Sequence, residues 1–437
     1  MTMFALPIFL GNFFQQMYNA VDSLIVGNYL GRSALAAVTS SGSLIAMLIG
    51  LLMGIASGAG VIVAKYFGAR DNKNLSLAIH TTLAFGLVAG VVLTIFGIIA
   101  SPLILTWMDT PEQVMEQSIV YLQLYFCGSL GSVLYNISVG ILQALGDSRH
   151  PLYYLIISSA VNLVLDIVFI AGFHTGVGGA AVATVISQVV SAVLCLRQLT
   201  RLDDAYRLRI RSISFNGPML RHVIQIGLPS GIQNSIISFA NVIVQSKVNF
   251  FGEVAMAGYG AYTKVEGFAF LPITSFTLAL TTFVSQNLGA HEFDRAKKGA
   301  RFGTIVTVVL AEFIGVLIFL LAPVLIAAFD ATPEVITIGT EKARTAALFY
   351  CLLAYSHASA AVLRGAGKAV VPMIIMMSVW CGIRVLFLSI TIPLTQSIQM
   401  VYWAYPLTWS LSSVLFFFYE HHRNVLHKPH FLRFISR

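Results

Sequence analysis

Two aspartates interrupt apolar stretches of this chain that are each long enough to cross a membrane: Asp22 in the first stretch and Asp166 in the fifth. Each lies six residues before the predicted outer end of its stretch. At 1.5 Å per residue, both carboxylates are about 9 Å inside the same boundary. A charged group at the centre of a membrane helix costs about 2.5 to 3.5 kcal/mol on insertion scales, so we expect a function for it. Two carboxylates at one depth could share a proton or bind a small cation such as Na⁺.

Polar side chains accompany both aspartates. Asn162 lies one helical turn before Asp166 on the same face, and Thr184 lies near the outer end of the sixth stretch. In the first stretch, spacings of three, four and three residues place four polar side chains on one stripe of the helix: Asn12, Gln15, Asn19 and Asp22. Such a stripe faces either water or a partner helix.

The second half of the chain repeats the polar stripe without the aspartates. Its seventh stretch has polar residues at the matching positions: Asn234, Ser238, Asn241 and Gln245. Depending on register, Val244 or Ile243 replaces Asp22, and Phe387 replaces Asp166. The carboxylate pair therefore belongs to one half only.

A structural interpretation of these residues is also open. Asp22 and Asp166 could hold helices together, or could reach the nearby outer interface, satisfied by Asn and Ser neighbours. Four ionisable residues in the second half could instead form structural ion pairs between acid and base: Glu266, Glu312, Lys264 and Arg384.

The composition predicts the elements that must position these residues. The chain is 57% hydrophobic and only 10% charged, which is typical of a polytopic membrane protein. A bilayer core needs about 20 apolar residues per helix, and the runs do not alternate as transmembrane strands would. The sequence predicts an all-α protein with six spans in each half: 4–28, 34–64, 77–100, 119–146, 152–172 and 179–197, then 222–247, 255–285, 301–322, 345–363, 370–392 and 400–419.

The two halves are repeats of each other. Pro7 recurs as Pro229 at an offset of 222, and Gly146 recurs as Gly367 at 221. Because six spans is an even number, both halves enter the membrane from the same side and form parallel repeats. We predict an N-lobe at 1–197, a cytoplasmic linker at 198–221, a C-lobe at 222–419 and a basic cytoplasmic tail at 420–437.

The basic residues predict the orientation. With the N-terminus inside, 20 of the 26 Lys and Arg fall in cytoplasmic segments, and three fall in external loops: Arg32, Lys342 and Arg344. Both termini are then cytoplasmic, and the protein lies in the inner (plasma) membrane. Topology and anionic lipid explain the net charge of +8, so no nucleic-acid partner is needed. We find no clustered nucleophile and base or metal set, so an enzyme is not predicted.

Several segments resemble the multidrug and toxic compound extrusion (MATE) family. They are "NAVDSLIVGNYLG", "VAKYFGARD" and "FVSQNLGAHEFDRAKKGA", with the paired connectors "QALGDSRHP" and "RGAGKAVVP". The resemblance implies twelve helices in two lobes around a central cavity, exporting organic cations or drugs in exchange for Na⁺ or H⁺. It places the family's first-lobe cation site on five residues here: Asp22, Asn136, Asn162, Asp166 and Thr184. Spans 7 and 10 contain no acidic residue, which favours a DinF-like arrangement.

The sequence thus predicts a monomeric, cation-coupled antiporter with no cofactor beyond the transported H⁺ or Na⁺. Protonation or Na⁺ binding at Asp22 and Asp166 would repack the first helix and change the affinity for an organic cation or drug. We expect the substrate cavity to be lined by Gln15, Asn19, Asn234, Asn241 and Glu266. The alternative is a flippase of the same architecture that moves a lipid-linked saccharide or another amphiphile.

Overall fold

The computed structural model describes residues 1–30, 32–107, 110, 112–203 and 205–423, with the backbone alone at 23–24, 27–28, 32–44 and 46–48. Most of the predicted tail, 424–437, lies outside these ranges. The described residues form helices and no strands. Those of the first repeat are α1 (Thr2–Leu30), α2 (Arg32–Gly68), α3 (Asn72–Trp107), α4 (Glu112–Cys127), α5 (Ser129–Ala144), α6 (Arg149–Asp166) and α7 (Gly176–Thr200). Those of the second are α8 (Gly217–Asn249), α9 (Glu253–Gly289), α10 (Phe293–Ala327), α11 (Pro333–Ala347), α12 (Tyr350–Gly365), α13 (Val370–Met376), α14 (Arg384–Thr395) and α15 (Gln399–Arg423).

These helices make the twelve predicted spans, so the all-α prediction is confirmed. By length and hydropathy, seven described helices could cross a membrane, and two bent pairs raise that number to nine. The other three, α1, α8 and α15, contain 29, 33 and 25 residues. Each exceeds the length of about 20 residues that a bilayer core requires.

The fourth span of each repeat is bent and starts earlier than predicted. α4 meets α5 at 49°, and α11 meets α12 at 55°. At the first bend, a Cβ on Gly128 would come within 2.5 Å of the Val185 side chain, so the close approach of α7 requires glycine. In the second repeat, our assignment of Lys342 and Arg344 to an external loop was wrong. Both lie on α11, and Lys342 is completely buried.

The fifth span of each repeat contains a π-helical segment. Ile167–Gly172 follows α6 directly after Asp166, and Met377–Ile383 connects α13 to α14 directly before Arg384. π-helical turns widen the helix locally and are frequent at functional sites. In both repeats, this wide turn adjoins a buried ionisable side chain.

The chain packs as two units whose division falls inside α1 and α8. One unit comprises Leu10–Leu228, and the other comprises Met1–Phe9 with Pro229–Arg437. The first turns of α8 therefore pack with the first repeat, where a Cβ on Gly58 would come within 2.2 Å of the Gly227 nitrogen. The start of α1 packs with the second repeat, where a Cβ on Gly303 would lie 3.2 Å from the Met1 sulfur. The first turns of α1 thus pack with the second repeat, and the first turns of α8 pack with the first repeat.

The linker between the repeats is attached to α3 by His80. This histidine is 5% exposed, and its Nδ1 lies 2.7 Å from the Ser76 carbonyl oxygen. The carbonyl can only accept, so Nδ1 donates and Nε2 accepts from the Arg209 backbone N–H at 3.1 Å. Beside this bond, Leu208 is buried and Tyr206 packs edge-on against Phe67.

We predict that His80→Ala releases the linker. The Arg209 N–H would lose its acceptor, at a local cost of about 1 to 3 kcal/mol, so amides 205–213 should exchange faster in hydrogen–deuterium exchange of the detergent-solubilised protein. His150→Ala is the matched control, because His150 bonds only the half-buried Asp147 and should leave linker exchange unchanged. Equal exchange in wild type and His80→Ala would contradict this role.

Candidate functional site

The structure brings Asp22 and Asp166 together. The two carboxyl groups lie close enough for a hydrogen bond between α1 and the end of α6. Asp166 is 0% exposed, so it does not reach the outer interface, and this part of the structural interpretation was wrong. A hydrogen bond between two carboxyl groups requires one proton, and the pair titrates as a unit.

Asn162 orients the pair from one turn earlier in α6. Its partners determine the orientation of its amide: the nitrogen donates to Asp166 Oδ2 at 2.6 Å. The oxygen accepts from the Thr184 backbone N–H at 3.1 Å and from the Tyr18 hydroxyl at 3.2 Å. One buried amide therefore connects α1, α6 and α7.

Two carboxyl oxygens remain without a partner. Among the described residues, Asp22 Oδ1 and Asp166 Oδ1 are buried and accept no hydrogen bond. Unpaired buried oxygens are unfavourable, so the site has capacity for a further proton or for a cation. Carboxylate, amide and hydroxyl oxygens are hard ligands suited to a small ion, and Thr184 Oγ1 lies on the same wall.

Tyrosines form the polar surroundings of the acidic pair. Tyr18, Tyr121 and Tyr125 lie close enough to interact electrostatically with one another, and Tyr18 and Tyr121 also with both aspartates. Tyr18 precedes Asp22 by one helical turn, so the spacing rule that found Asn162 could also have found it. Asn136 is different: its amide donates to the Ser132 carbonyl of its own helix at 2.8 Å.

The residues predicted to line the substrate cavity belong to different units. Gln15 and Asn19 lie on the exposed side of α1 in the first unit. Asn234 and Asn241 on α8 and Glu266 on α9 lie in the second, and Glu266 accepts a hydrogen bond from Tyr262 at 2.7 Å. No single unit combines all five, so their common role stays a prediction.

The ion pairs considered for the second half do not form among the described residues. Glu312 accepts the Cys351 backbone N–H at 2.9 Å, and Lys264 lies over the Phe329 ring at 5.6 Å. Arg384 donates to Thr408 Oγ1 at 2.9 Å. The one described side-chain ion pair is His150 with Asp147.

Lys342 was not among the residues predicted to lie within the membrane, although the repeat could have revealed it. The first repeat's fourth span was predicted to start at residue 119, and the offset of 221 carries that position to Thr340. Starting the tenth span at 345 left Lys342 outside. A consistent register would have placed it among the intramembrane ionisable residues.

The described helices make twelve spans in two repeats, with an acidic pair in one repeat, and this arrangement is typical of a polytopic membrane transporter. The pattern of the MatE family matches residues 7–168 and 229–390, once in each repeat. The chain belongs to this family of transporters, as its motifs predicted.

Known relatives extend over most of the chain. It is 29% identical over 430 residues to the probable multidrug resistance protein YoeA of Bacillus subtilis, covering 96% of this chain and 92% of that protein. It is 26% identical to the probable multidrug resistance protein NorM of Thermotoga maritima, covering 86% and 82%. Identity to the multidrug export protein MepA of Staphylococcus aureus is 22%, covering 66% and 64%.

Solved transporter structures share the fold. A transporter of the MOP superfamily from Pyrococcus furiosus, described as having a binding pocket of reverse polarity, superimposes with a TM-score of 0.90 at 23% identity, covering 97% of this chain and 95% of that one. A multidrug resistance MATE family transporter in an outward-facing conformation gives the same values. At this identity, the likeness supports the twelve-helix, two-lobe fold alone.

We predict that Asn162→Ala destabilises the protein more than Asn136→Ala. The first substitution removes three hydrogen bonds, two of which join α6 to α1 and to α7, for a loss of about 1 to 3 kcal/mol in the free energy of unfolding. The second removes a bond to a carbonyl oxygen of its own helix. Thermal unfolding of both variants in detergent measures the difference, and equal midpoints would show that Asn162 does not connect these helices.

Proposed function

We propose that this protein is a secondary antiporter that exports small organic molecules in exchange for H⁺ or Na⁺, coupled through Asp22 and Asp166. The observation that carries the proposal is the close approach of these two carboxyl groups at a site where Asp166 is completely buried. Neither carboxylate has a basic partner among the described side chains, so a proton or metal cation must neutralise the pair.

The geometry favours the proton as the coupling ion. A carboxyl–carboxyl hydrogen bond forms only when one group is protonated, and Asn162 already uses its oxygen for Tyr18 and Thr184. Na⁺ would have to take its ligands from the free oxygens of Asp22 and Asp166 and from Thr184. Both ions would act alike by cancelling the repulsion between the aspartates.

The substrate class follows from the relatives. Proteins named for multidrug resistance and multidrug export match the chain over most of its length, so drug-like organic molecules, cations among them, are the proposed cargo. These names favour drug export over the flippase alternative. We propose a monomer in the plasma membrane with both termini cytoplasmic, as the basic residues predict.

Coupling would act through α1. When the aspartates share a proton, the carboxyl bond holds α1 to α6, and Tyr18 adds a second bond through Asn162. Loss of the proton leaves two like charges in a buried site, which drives the helices apart. The π-helical turn after Asp166 gives α6 freedom to adjust. Displacement of α1 would then change substrate affinity and alternate the access of the site.

We predict that Asp22→Asn and Asp166→Asn each abolish gradient-driven export without preventing folding or insertion. An amide keeps the shape and a hydrogen bond but cannot exchange a proton. The measurement is efflux of a fluorescent lipophilic cation from proteoliposomes under an imposed H⁺ or Na⁺ gradient. Glu312→Gln is the matched control, because it changes another membrane carboxylate that accepts a backbone N–H and should transport normally.

The gradient that drives wild-type export identifies the ion. Coupled export by both Asp variants at the wild-type rate would refute the proposed role of the pair. If wild type exports no cation under either gradient while folded and inserted, the drug-antiport proposal fails, and lipid flipping becomes the next activity to assay.

A further inference from the structure

The second unit buries two basic side chains that form no ion pair with any residue the structure describes. Lys342 on α11 is 0% exposed, and Arg384 at the start of α14 is 2% exposed. Arg384 donates to Thr408. Lys342 Nζ has no hydrogen-bond partner among the described residues. A buried ammonium normally has such partners, because dehydration opposes its charge.

Four tyrosines enclose the lysine. Nζ lies 3.7 Å from the ring centre of Tyr405 and 5.2 Å from that of Tyr262, and the rings of Tyr259 and Tyr402 are both 6.0 Å away. Three of the four hydroxyls bond elsewhere, Tyr259 with Tyr405 and Tyr262 with Glu266 and Tyr350, whereas the buried Tyr402 hydroxyl has no partner among the described residues. Lys342 Nζ therefore lies among ring faces and has no hydrogen-bond acceptor in the part of the chain that the structure describes.

The charges around Lys342 come from neighbouring helices. Glu266 on α9 attracts an ammonium at this position, and Arg384 on α14 repels it. The Arg384 guanidinium lies 4.2 Å from the centre of the same Tyr405 ring. On α10, the Glu312 carboxylate accepts a hydrogen bond from the Cys351 backbone N–H. On α15 the facing groups are Tyr402 and Tyr405, and on α12 the facing group is Tyr350.

The charge balance favours a neutral amine in this conformation. With Lys342 neutral, the positive charge of Arg384 and the negative charge of Glu266 cancel. Protonation adds an unbalanced positive charge beside a guanidinium. Cation–π contacts with the rings offset part of the electrostatic cost of protonating Lys342. A modest rearrangement of the neighbouring side chains could therefore change the charge state of Lys342. An approach of Glu266 to Nζ would supply the missing acceptor.

The cluster occupies the same register in its repeat as the acidic site does in the other. At the offset of 221 that relates Gly146 to Gly367, Lys342 corresponds to Tyr121 and Tyr405 to Thr184. Arg384 corresponds to the residue directly after Asn162. The second repeat thus has buried bases in the region that holds the acidic site in the first, although the counterparts of Asp22 and Asp166 themselves are Val244 or Ile243 and Phe387.

We propose that Lys342 is a second proton-binding site of the transporter, neutral within its tyrosine cage and protonated when Glu266 reaches it during the cycle. Its role in transport rests on the proposed antiport function, whereas its charge state can be measured separately. A ligand anion between the two bases is a different explanation. Aromatic faces carry a negative partial charge, so the Tyr405 ring, 3.7 Å from Nζ, is an unfavourable neighbour for an anion.

The direct test is the ¹⁵N NMR signal of the lysine side-chain nitrogens in full-length protein in lipid. The Lys342 signal is assigned as the one lost in Lys342→Met. At about pH 8, an ordinary lysine is an ammonium, and we expect Lys342 to give a neutral-amine signal that becomes an ammonium on acidification. An ammonium signal across the whole range from about pH 5 to about pH 9 would overturn the proposal. So would an ammonium signal that shifts when chloride or acetate is added, since that indicates an anion site.

The transport test compares Lys342→Met, which is fixed neutral, with Lys342→Arg, which is fixed positive. We predict that both variants still export substrate with one proton fewer per substrate than wild type, measured from the reversal of flux under opposing gradients. Lys342→Met should fold, since it replaces a buried amine that has no hydrogen-bond partner among the described residues with an apolar side chain of similar length. An unchanged proton ratio would refute the role in transport. If Asp22→Asn retains coupled export while Lys342 still titrates, the proposed function fails and the proton site stands.

Discussion

The hydrogen bond between the carboxyl groups of Asp22 and Asp166 is the interaction on which the organisation of the first unit depends. It places two acids where neither has a basic partner among the described residues, so the pair is stable only while something neutralises it. The surrounding groups suit this requirement. Asn162 donates a hydrogen bond to Asp166 and accepts hydrogen bonds from α1 and α7. A change in the charge of the acidic pair therefore affects the contacts of α1, α6 and α7 together.

Duplication explains how such a site can exist in a membrane bundle. Both repeats have a bent fourth span and a π-helical turn in the fifth, so irregular backbone lies at matching places. Near these places the first repeat carries an acidic pair, and the second carries buried bases and tyrosines. Once the scaffold was doubled, the two copies could acquire opposite charge without changing the fold.

Much of the fold could be predicted from the sequence, because apolar length, repeated motifs and charge bias act on whole segments. Asp22, Asn162, Asp166 and Thr184 were also identified, since depth and helical spacing fix where side chains on neighbouring spans meet. The family resemblance placed Asn136 at the site, and the structure shows its amide donating to the Ser132 carbonyl of its own helix, so its role stays a prediction. Lys342 was missed because a lysine near a predicted span end resembles a loop residue. Only the packing of α11 shows that it is enclosed.

The π-helical turns have no recognisable local pattern, because they depend on which side chains the neighbouring helices present.

The central claim is that Asp22 and Asp166 share one exchangeable proton. Infrared difference spectroscopy of the protein in lipid, recorded as the pH is raised, tests this most directly, because a protonated carboxyl group has a C=O band that a carboxylate lacks. We predict a carboxylic-acid band that disappears as the pair loses its proton and whose pH-dependent change is absent in Asp166→Asn. If the wild-type protein shows no acid band at any pH at which it remains folded, or if Asp166→Asn leaves the change intact, the shared proton is not at this site.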